Sequence, residues 1–273
     1  MEGDSNTGRG HDGATLSRVR AVSRAVAILR CFGADRMRLT LSDISVGAKL
    51  DAGTARRLLV TLRDEGLVAQ DSGTGRYHLT LQMARFAAAV PEGQSLKHLA
   101  EVDMRALAEQ TGLTVLLSAL SDSKAVCLAR EHGNAPVQVR WWPVGEALPM
   151  NCGAAPRLLL AHMPASEREA VLEGRLVALT RHSVTNPVAL REMLERARAE
   201  GWAMAVNDVI EGLSALAAPV YGPAGEVAGA VSIGGLTPMI VSDRGAPRAE
   251  PLSALRAATK RISARLQSDY FTE

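Results

Sequence analysis

Residues 41–67 read LSDISVGAKLDAGTARRLLVTLRDEGL, and this stretch decides how the N-terminal part of the chain folds. It predicts two short helices joined by a tight turn at about residues 41–60. Thr40 or Ser42 can cap the first helix, Asp51 caps the second, and Gly66 ends it. In the second helix the apolar residues follow the i, i+3, i+4, i+7 spacing of one buried edge: Ala55, Leu58, Leu59 and Leu62.

The opposite edge of that second helix is polar and basic, with Thr54, Arg56, Arg57, Thr61 and Arg63. A short helix that buries one edge and presents Thr and Arg on the other is typical of helices that read the major groove of DNA. The stretch therefore favours a DNA-binding function. A structural alternative for Arg57 is an ion pair that braces one helix against another.

Residues 67–79 predict a β-hairpin, because two short extended runs flank the turn sequence DSGTG at 71–75. A hairpin after two such helices is a wing, and its Thr74 hydroxyl and Arg76 side chain suit contacts with phosphates. Residues 17–90 hold twelve Lys and Arg against six Asp and Glu, a local charge of +6 in a chain whose total is +2. Basic charge therefore coincides with the motif. An earlier helix over 22–32 has Val22, Val26, Leu29 and Cys31 or Phe32 near helical spacing as its apolar set.

The composition excludes several classes of protein. No apolar run reaches the ~18 residues of a membrane span, and the polar, Gly-rich N-terminus is not a secretory signal. The three cysteines are far apart and form no C-x-x-C pair, which argues against a disulfide framework and fits a reducing cytoplasm. The six histidines show no zinc-ligand spacing. We therefore expect a cytoplasmic protein with no metal and no cofactor.

The N-terminal motifs resemble the winged helix-turn-helix of the IclR family of bacterial transcription regulators. The matching segments are SRAVAILRCF (23–32), LTLSDIS (39–45), LDAGTARRLLVTLRDEGLV (50–68) and GRYHL (75–79). One departure is Gly53, where such sequences usually carry Ser. The resemblance implies that the second helix enters the major groove and that the wing holds the backbone. The expected DNA-binding residues are Arg24, Ser42, Ala52, Gly53, Thr54, Arg56, Arg57, Thr74 and Arg76.

The rest of the chain predicts an α+β domain. An amphipathic segment at about 80–89 predicts a linker helix, interrupted by the Pro-Glu-Gly at 91–93, and a capped helix follows at 95–112. Strand-like runs are expected at 113–120, 125–130, 137–142, 203–206, 214–221 and 227–233. Helices are expected at 154–162, 166–173, 188–200 and 251–267. Antiparallel hairpins with helices at their ends, and the absence of a G-x-G-x-x-G loop, favour a sensor-like domain over a nucleotide fold.

The resemblance continues through PMNCGAAPRLLLA (149–161), TNPVALREMLERARAEGWA (185–203) and GLSALAAPVYGPAGEVAGAVSIGG (212–235). It implies a GAF-like domain that binds a small organic acid and helps to build dimers or tetramers. Alanines in the strand after Trp202, where acids are common in the family, suit a larger or aromatic acid. The implied effector-binding residues are Cys152, Gly153, Ala154, Ala155, Ala205, Leu213, Ala215, Ser232 and Gly234, with Arg157 as a further carboxylate partner.

Four segments result: a disordered arm at 1–17, a winged helix-turn-helix at 18–80, a linker helix at 81–94, and an effector-binding and oligomerisation domain at 95–273. Catalysis is not expected, because nothing places His162 or His182 beside Cys152. The expected partners are palindromic double-stranded operator DNA, a small organic acid and further copies of the chain, with no membrane. The alternative is a ligand-binding or interaction module whose winged helix contacts protein rather than DNA.

Overall fold

The computed structural model describes residues 19–33, 36–88, 91–136, 138 and 142–270. The chain divides into two compact units between Arg85 and Phe86. The predicted arm at 1–17 and most of the predicted strand at 137–142 lie outside the described residues. Within the described part, no helix is long and apolar enough to cross a membrane.

The first unit begins with three helices, α1 (Arg20–Leu29), α2 (Leu41–Ala48) and α3 (Ala52–Asp64). Each helix packs against the other two. The turn between α2 and α3 contains Lys49 in the left-handed region, at φ 54°. This arrangement is the helix-turn-helix that the sequence predicts.

Local hydrogen bonds fix where α2 and α3 begin. The Thr40 hydroxyl accepts from the backbone N–H of Asp43 at 3.2 Å, and the Asp43 carboxylate accepts from the backbone N–H of Thr40 at 2.9 Å. This reciprocal capping box selects Thr40, not Ser42, as the cap of α2. Asp51 caps α3 by accepting from the N–H of Thr54 at 2.8 Å.

Two short antiparallel strands, β1 (Val68–Gln70) and β2 (Tyr77–Leu79), form the predicted hairpin. Leu39 and Tyr77 exchange backbone hydrogen bonds at 3.0 and 2.7 Å, so the segment before α2 adds a one-residue third strand. Because this bridge ties the hairpin to the helix-turn-helix, the hairpin is an integral part of the unit.

The core of the first unit differs from the prediction for α1. Val22 and Val26 are 61% and 38% exposed, and α1 buries Ile28 instead. The i, i+3, i+4 pattern also fits a second register, in which Ala25, Ile28 and Leu29 face inward, and the packing selects that register. The core comprises Ile28, Cys31, Leu39, Ile44, Leu59, Leu62, Val68 and Tyr77.

Two helices follow the hairpin, α4 (Gln82–Ala88) and α5 (Pro91–Thr111). The helix predicted to begin at residue 95 begins at Pro91 instead, so residues 91–93 form its first turn. Proline suits the first turn of a helix, where its missing N–H would have no acceptor within the helix.

The second unit is built on one antiparallel six-stranded sheet in the order β5-β4-β3-β8-β7-β6. Neither the short β5 nor the one-turn α9 was predicted. The remaining elements are β3 (Thr114–Ser121), β4 (Lys124–Glu131), β5 (Ala147–Leu148), α6 (Ala154–His162), α7 (Ala165–Glu173), α8 (Pro187–Glu200), β6 (Ala203–Val206), β7 (Leu213–Tyr221), β8 (Val227–Leu236), α9 (Thr237–Ile240) and α10 (Ala249–Tyr270).

Helices cover both faces of this sheet. On one face, a hydrophobic cluster contains side chains of α6 and α8 together with Leu116 of β3. On the other face, a second cluster contains side chains of α5 and α10 together with Val115 and Leu117 of β3. Successive strand residues point to opposite faces, so β3 contributes to both clusters. The result confirms the predicted α+β class.

Candidate functional site

The α3 helix presents a basic edge to solvent. Ala52, Gly53, Arg56 and Arg57 are exposed and Thr54 is half-buried, whereas the opposite edge is buried through Ala55, Leu59 and Leu62. Arg57 forms no salt bridge with any described residue, so it does not brace one helix against another. Four of the five predicted reading residues on α3 are therefore exposed.

The start of α3 is held rigidly. The N–H of Thr54 donates to the carboxylate of Asp51, and this hydrogen bond is the main reason that the pKa of Asp51 lies below its usual range. A Cβ atom added at Gly53 would lie 3.3 Å from Oδ1 of Asp51. A side chain at this position would therefore crowd the carboxylate that caps α3. The glycine thus leaves the first turn of α3 open on its outer side.

The turn of the hairpin is organised around Asp71. Its Oδ1 accepts from the N–H of Gly73 at 3.1 Å, from the N–H of Thr74 at 2.7 Å and from the Thr74 hydroxyl at 2.8 Å. Its Oδ2 pairs with Arg38 at 3.3 Å. The Arg76 side chain is exposed and donates to the Arg38 carbonyl at 3.4 Å. Arg38, from the segment before α2, and Arg76, from the hairpin, therefore lie next to each other. The Asp71 carboxylate links Arg38 to the turn.

Two predicted residues lie on the other helices of the first unit. Ser42 is exposed in the first turn of α2, and Arg24 is exposed on α1. Arg38 was not singled out by the sequence reasoning. The signal that would have found it is its position directly before the Leu39 bridge to the hairpin, which depends on tertiary contacts.

In the second unit, a cavity of about 40 Å³, measured as the space open to the centre of a water-sized sphere, lies between the start of α6 and strands β7 and β8. Eight of the ten predicted effector-binding residues line it, and only Cys152 and Arg157 do not. The eight are Gly153, Ala154, Ala155, Ala205, Leu213, Ala215, Ser232 and Gly234.

The cavity wall is mainly apolar, with a few polar groups. The Ser232 side chain is 4% exposed, and its hydroxyl has no hydrogen-bond partner in the described part of the chain. The first N–H groups of a helix have no acceptor within that helix, and at α6 those of Ala154 and Ala155 belong to residues that line the cavity. The cavity therefore combines an apolar body with donors suited to a carboxylate.

Arg157 and Asp208 form a buried ion pair at the edge of the cavity. Nη1 of Arg157 lies 2.9 Å from Oδ2 of Asp208, and Nη2 donates to the carbonyl of Met204 at 2.8 Å. Oδ2 also accepts from the N–H of Gly153 at 3.0 Å. Burial lowers the pKa of Arg157, and the charge of Asp208 opposes that shift. Both ends of the guanidinium are thus occupied within the protein.

The Cys152 thiol is fully buried and donates to the carbonyl of Val177 at 3.3 Å. Burial is the main cause of its raised pKa, and the nearby Asp208 charge adds to it. The protonated thiol is therefore favoured over the reactive thiolate.

Several lining residues were not assigned to the cavity by the sequence reasoning. Two of them, Pro156 and Ser214, are chain neighbours of predicted residues, and the others reach the cavity only through the tertiary fold. The unassigned lining residues are Leu116, Trp142, Leu148, Pro156, Asp208, Val209, Ile210 and Ser214. Among the described residues, no group of three or more His, Cys, Asp or Glu could hold a metal ion.

Comparison with known proteins matches both units. Residues 21–72 match the IclR helix-turn-helix domain, and residues 88–264 match the family described as bacterial transcriptional regulator IclR C-terminal. The chain is 32% identical to the glycerol operon regulatory protein of Streptomyces griseus over 93% of this chain and 98% of that one. It is 28% identical to the HTH-type transcriptional repressor AllR of Klebsiella pneumoniae, over 82% and 83% of the two chains.

A solved structure extends the comparison to three dimensions. An IclR homologue from Microbacterium hydrocarbonoxydans, crystallised in complex with 4-hydroxybenzoate, superposes with a TM-score of 0.76 and is 25% identical. The similarity covers 91% of this chain and 99% of the homologue.

Proposed function

The chain belongs to the IclR family of bacterial transcriptional regulators, and we propose that it binds a palindromic operator under the control of a small organic acid, aromatic acids included. It is a DNA-binding regulator and not an enzyme. The observation that carries the proposal is the exposed basic edge of α3, whose other edge is buried in the core of the first unit.

For DNA, α3 enters the major groove with its N-terminal turns against the bases. The residues proposed to read the bases are Ala52, Gly53, Thr54, Arg56 and Arg57. A dimer or tetramer would read two half-sites about one helical turn apart. The phosphate-holding residues in this proposal are Arg24, Ser42, Thr74 and Arg76.

A gel-shift assay on the DNA that flanks the chain's own gene tests this proposal. Arg56→Ala combined with Arg57→Ala should lower operator affinity by at least about tenfold, since each base contact contributes ~1–3 kcal/mol. Arg105→Ala is the control, because Arg105 is an exposed arginine on α5, outside the helix-turn-helix. Unchanged affinity in the double variant would refute α3 as the reading helix. A folded wild-type protein that binds no DNA would favour the protein-interaction alternative.

For the effector, the cavity beside α6 is the proposed site. The supporting features are its apolar wall, the unpartnered Ser232 hydroxyl and the helix-start N–H groups of Ala154 and Ala155. The related protein crystallised with 4-hydroxybenzoate supports an aromatic acid as the first ligand to test. Cys152 and Arg157 remain outside the proposed contacts, since neither lines the cavity.

Thermal unfolding with a panel of benzoate, 4-hydroxybenzoate and short keto acids tests the effector site. A ligand at a hundred times its Kd should stabilise the folded protein by about 2.7 kcal/mol. Ser232→Ala should reduce that stabilisation, whereas the control Ser242→Ala, in a surface turn, should not. If Ser232→Ala leaves the ligand effect unchanged, the acid group is bound elsewhere.

A further inference from the structure

The Asp208–Arg157 pair places two opposite charges deep in the wall of the proposed effector cavity. Both side chains are 4% exposed, and Asp208 lines the cavity while Arg157 does not. Asp208 is the only charged residue among the described residues that line the cavity. A bound molecule therefore meets the negative member of the pair, and the positive member lies behind it.

The hydrogen bonds of the pair are already satisfied within the protein. Arg157 donates to Asp208 and to the carbonyl of Met204, and Asp208 accepts from Arg157 and from the N–H of Gly153. A ligand carboxylate that approached Arg157 would have to displace Asp208, which would then be a buried carboxylate without its cation. Buried charges are costly unless they are paired.

At the start of α6 and on β8, the donors that remain for a ligand are the Ser232 hydroxyl and the N–H groups of Ala154 and Ala155. These groups suit a single carboxylate. A second carboxylate on the same small molecule would bring a second negative charge into a largely apolar cavity whose one charged lining residue, among those described, is the acid Asp208.

From this geometry we infer that Asp208, balanced by Arg157, sets the charge class of the effector: the cavity accepts monocarboxylates and rejects dicarboxylates. This inference rests on the proposed effector function of the same cavity. Asp208 acts as a specificity-determining residue that repels a second negative charge, and Arg157 limits this repulsion to a strength that one carboxylate can tolerate.

Calorimetric titration of the full chain with benzoate and with terephthalate, which adds one carboxylate to the same ring, tests the inference. The wild-type protein should bind benzoate at least about tenfold more tightly than terephthalate, because the second negative charge of terephthalate is repelled by the like charge of Asp208. Asp208→Asn keeps an acceptor for Gly153 and leaves a positive charge beside the cavity. It should reduce the preference for benzoate by about tenfold or more.

Two further variants separate charge from shape. Arg157→Met leaves the charge of Asp208 unbalanced and should weaken benzoate binding, whereas Asp208→Asn should strengthen it. The double variant Arg157→Met, Asp208→Asn has no net charge in the wall and should bind benzoate more tightly than Arg157→Met alone. The matched control is Glu211→Gln, which removes one acid from the exposed part of the same loop and should change neither affinity.

The outcomes distinguish this inference from the proposed function. Equal affinity of the wild type for the two acids, or an unchanged preference in Asp208→Asn, would overturn the role of Asp208 and leave an acid effector in place. The same holds if Arg157→Met and Asp208→Asn change benzoate affinity in the same direction, because a purely structural role predicts loss in both. If no monocarboxylate of the panel binds the wild type, the proposed effector and this inference fail together.

Discussion

Replacing Leu59 by alanine should destabilise the first unit while leaving the second intact. Leu59 is 1% exposed on the buried edge of α3 and belongs to a core of eight buried side chains. Truncating a buried leucine costs about 2–5 kcal/mol. A unit of this size is only marginally stable, within the roughly 5–15 kcal/mol of a typical domain. We therefore expect the urea midpoint of the first unit to fall by about 2 M.

The distribution of aromatic residues allows the two units to be followed separately. All three tryptophans, at 141, 142 and 202, belong to the second unit, so tryptophan fluorescence reports on that unit alone. Circular dichroism at 222 nm reports on the helices of both. In Leu59→Ala, the dichroism should show an early transition that the fluorescence does not show. Operator binding should be lost at lower urea concentrations than in the wild type, while ligand binding is kept.

Val60→Ala is the control, because Val60 is the next residue on α3 and is 42% exposed. Its effect should stay within about 0.5 kcal/mol. A coincident shift of fluorescence and dichroism in Leu59→Ala would refute the reasoning, since it would mean that the two units unfold as one. A loss below about 1 kcal/mol would refute the placement of Leu59 in a tightly packed core.

Three further predictions concern charge and ionisation. Backbone hydrogen bonds lower the pKa of Asp43, Asp51 and Asp71. The stability that these carboxylates contribute is therefore present above the ordinary carboxyl pKa and is lost as the pH falls through their lowered pKa values. Thermal melts followed by dichroism at pH 5 and pH 3 should show this loss in the first unit. Burial raises the pKa of Cys127 to about 11 from 9.0. The stabilisation contributed by the protonated thiol is therefore full below pH 9 and is lost as the pH rises toward 11. Cys127→Val should remove this contribution to the alkaline loss of stability, measured by fluorescence-monitored unfolding. Asp71→Asn should strengthen binding to random duplex DNA in fluorescence anisotropy and raise the salt slope by about one, whereas unchanged random binding would contradict a wing that contacts phosphates.

The elements that the sequence predicts best are those with local signals. The caps of α3 follow from Asp51 and Gly66, whose roles depend only on neighbouring residues, and the hairpin follows from the turn at 71–75. The register of α1 was wrong because apolar residues occupy more than one of its faces, and only packing against α2 and α3 decides between them.

The cavity shows the same division between local and tertiary information. Its small residues at 153–155 and its strand residues at 213–234 were predicted from the family resemblance. The pairing of Arg157 with Asp208 was not, because 51 positions separate the two residues and the fold of the sheet brings them together. Arg157 alone suggests a ligand contact, and only the position of Asp208 shows that its guanidinium is already occupied.

The acid at the base of the hairpin turn bears on how tightly the regulator holds DNA of any sequence. Every operator competes with at least about 10⁶ non-specific sites, so occupancy depends on the ratio of specific to non-specific affinity. In a wing that contacts phosphates, Asp71 offsets the charge of Arg38 without touching the base-reading edge of α3. A phosphate contact contributes alike to operator and random DNA, so Asp71 lowers both affinities by the same factor and leaves their ratio unchanged. Substitutions at position 71 would thus change how tightly the regulator holds any DNA without changing which sequence is read.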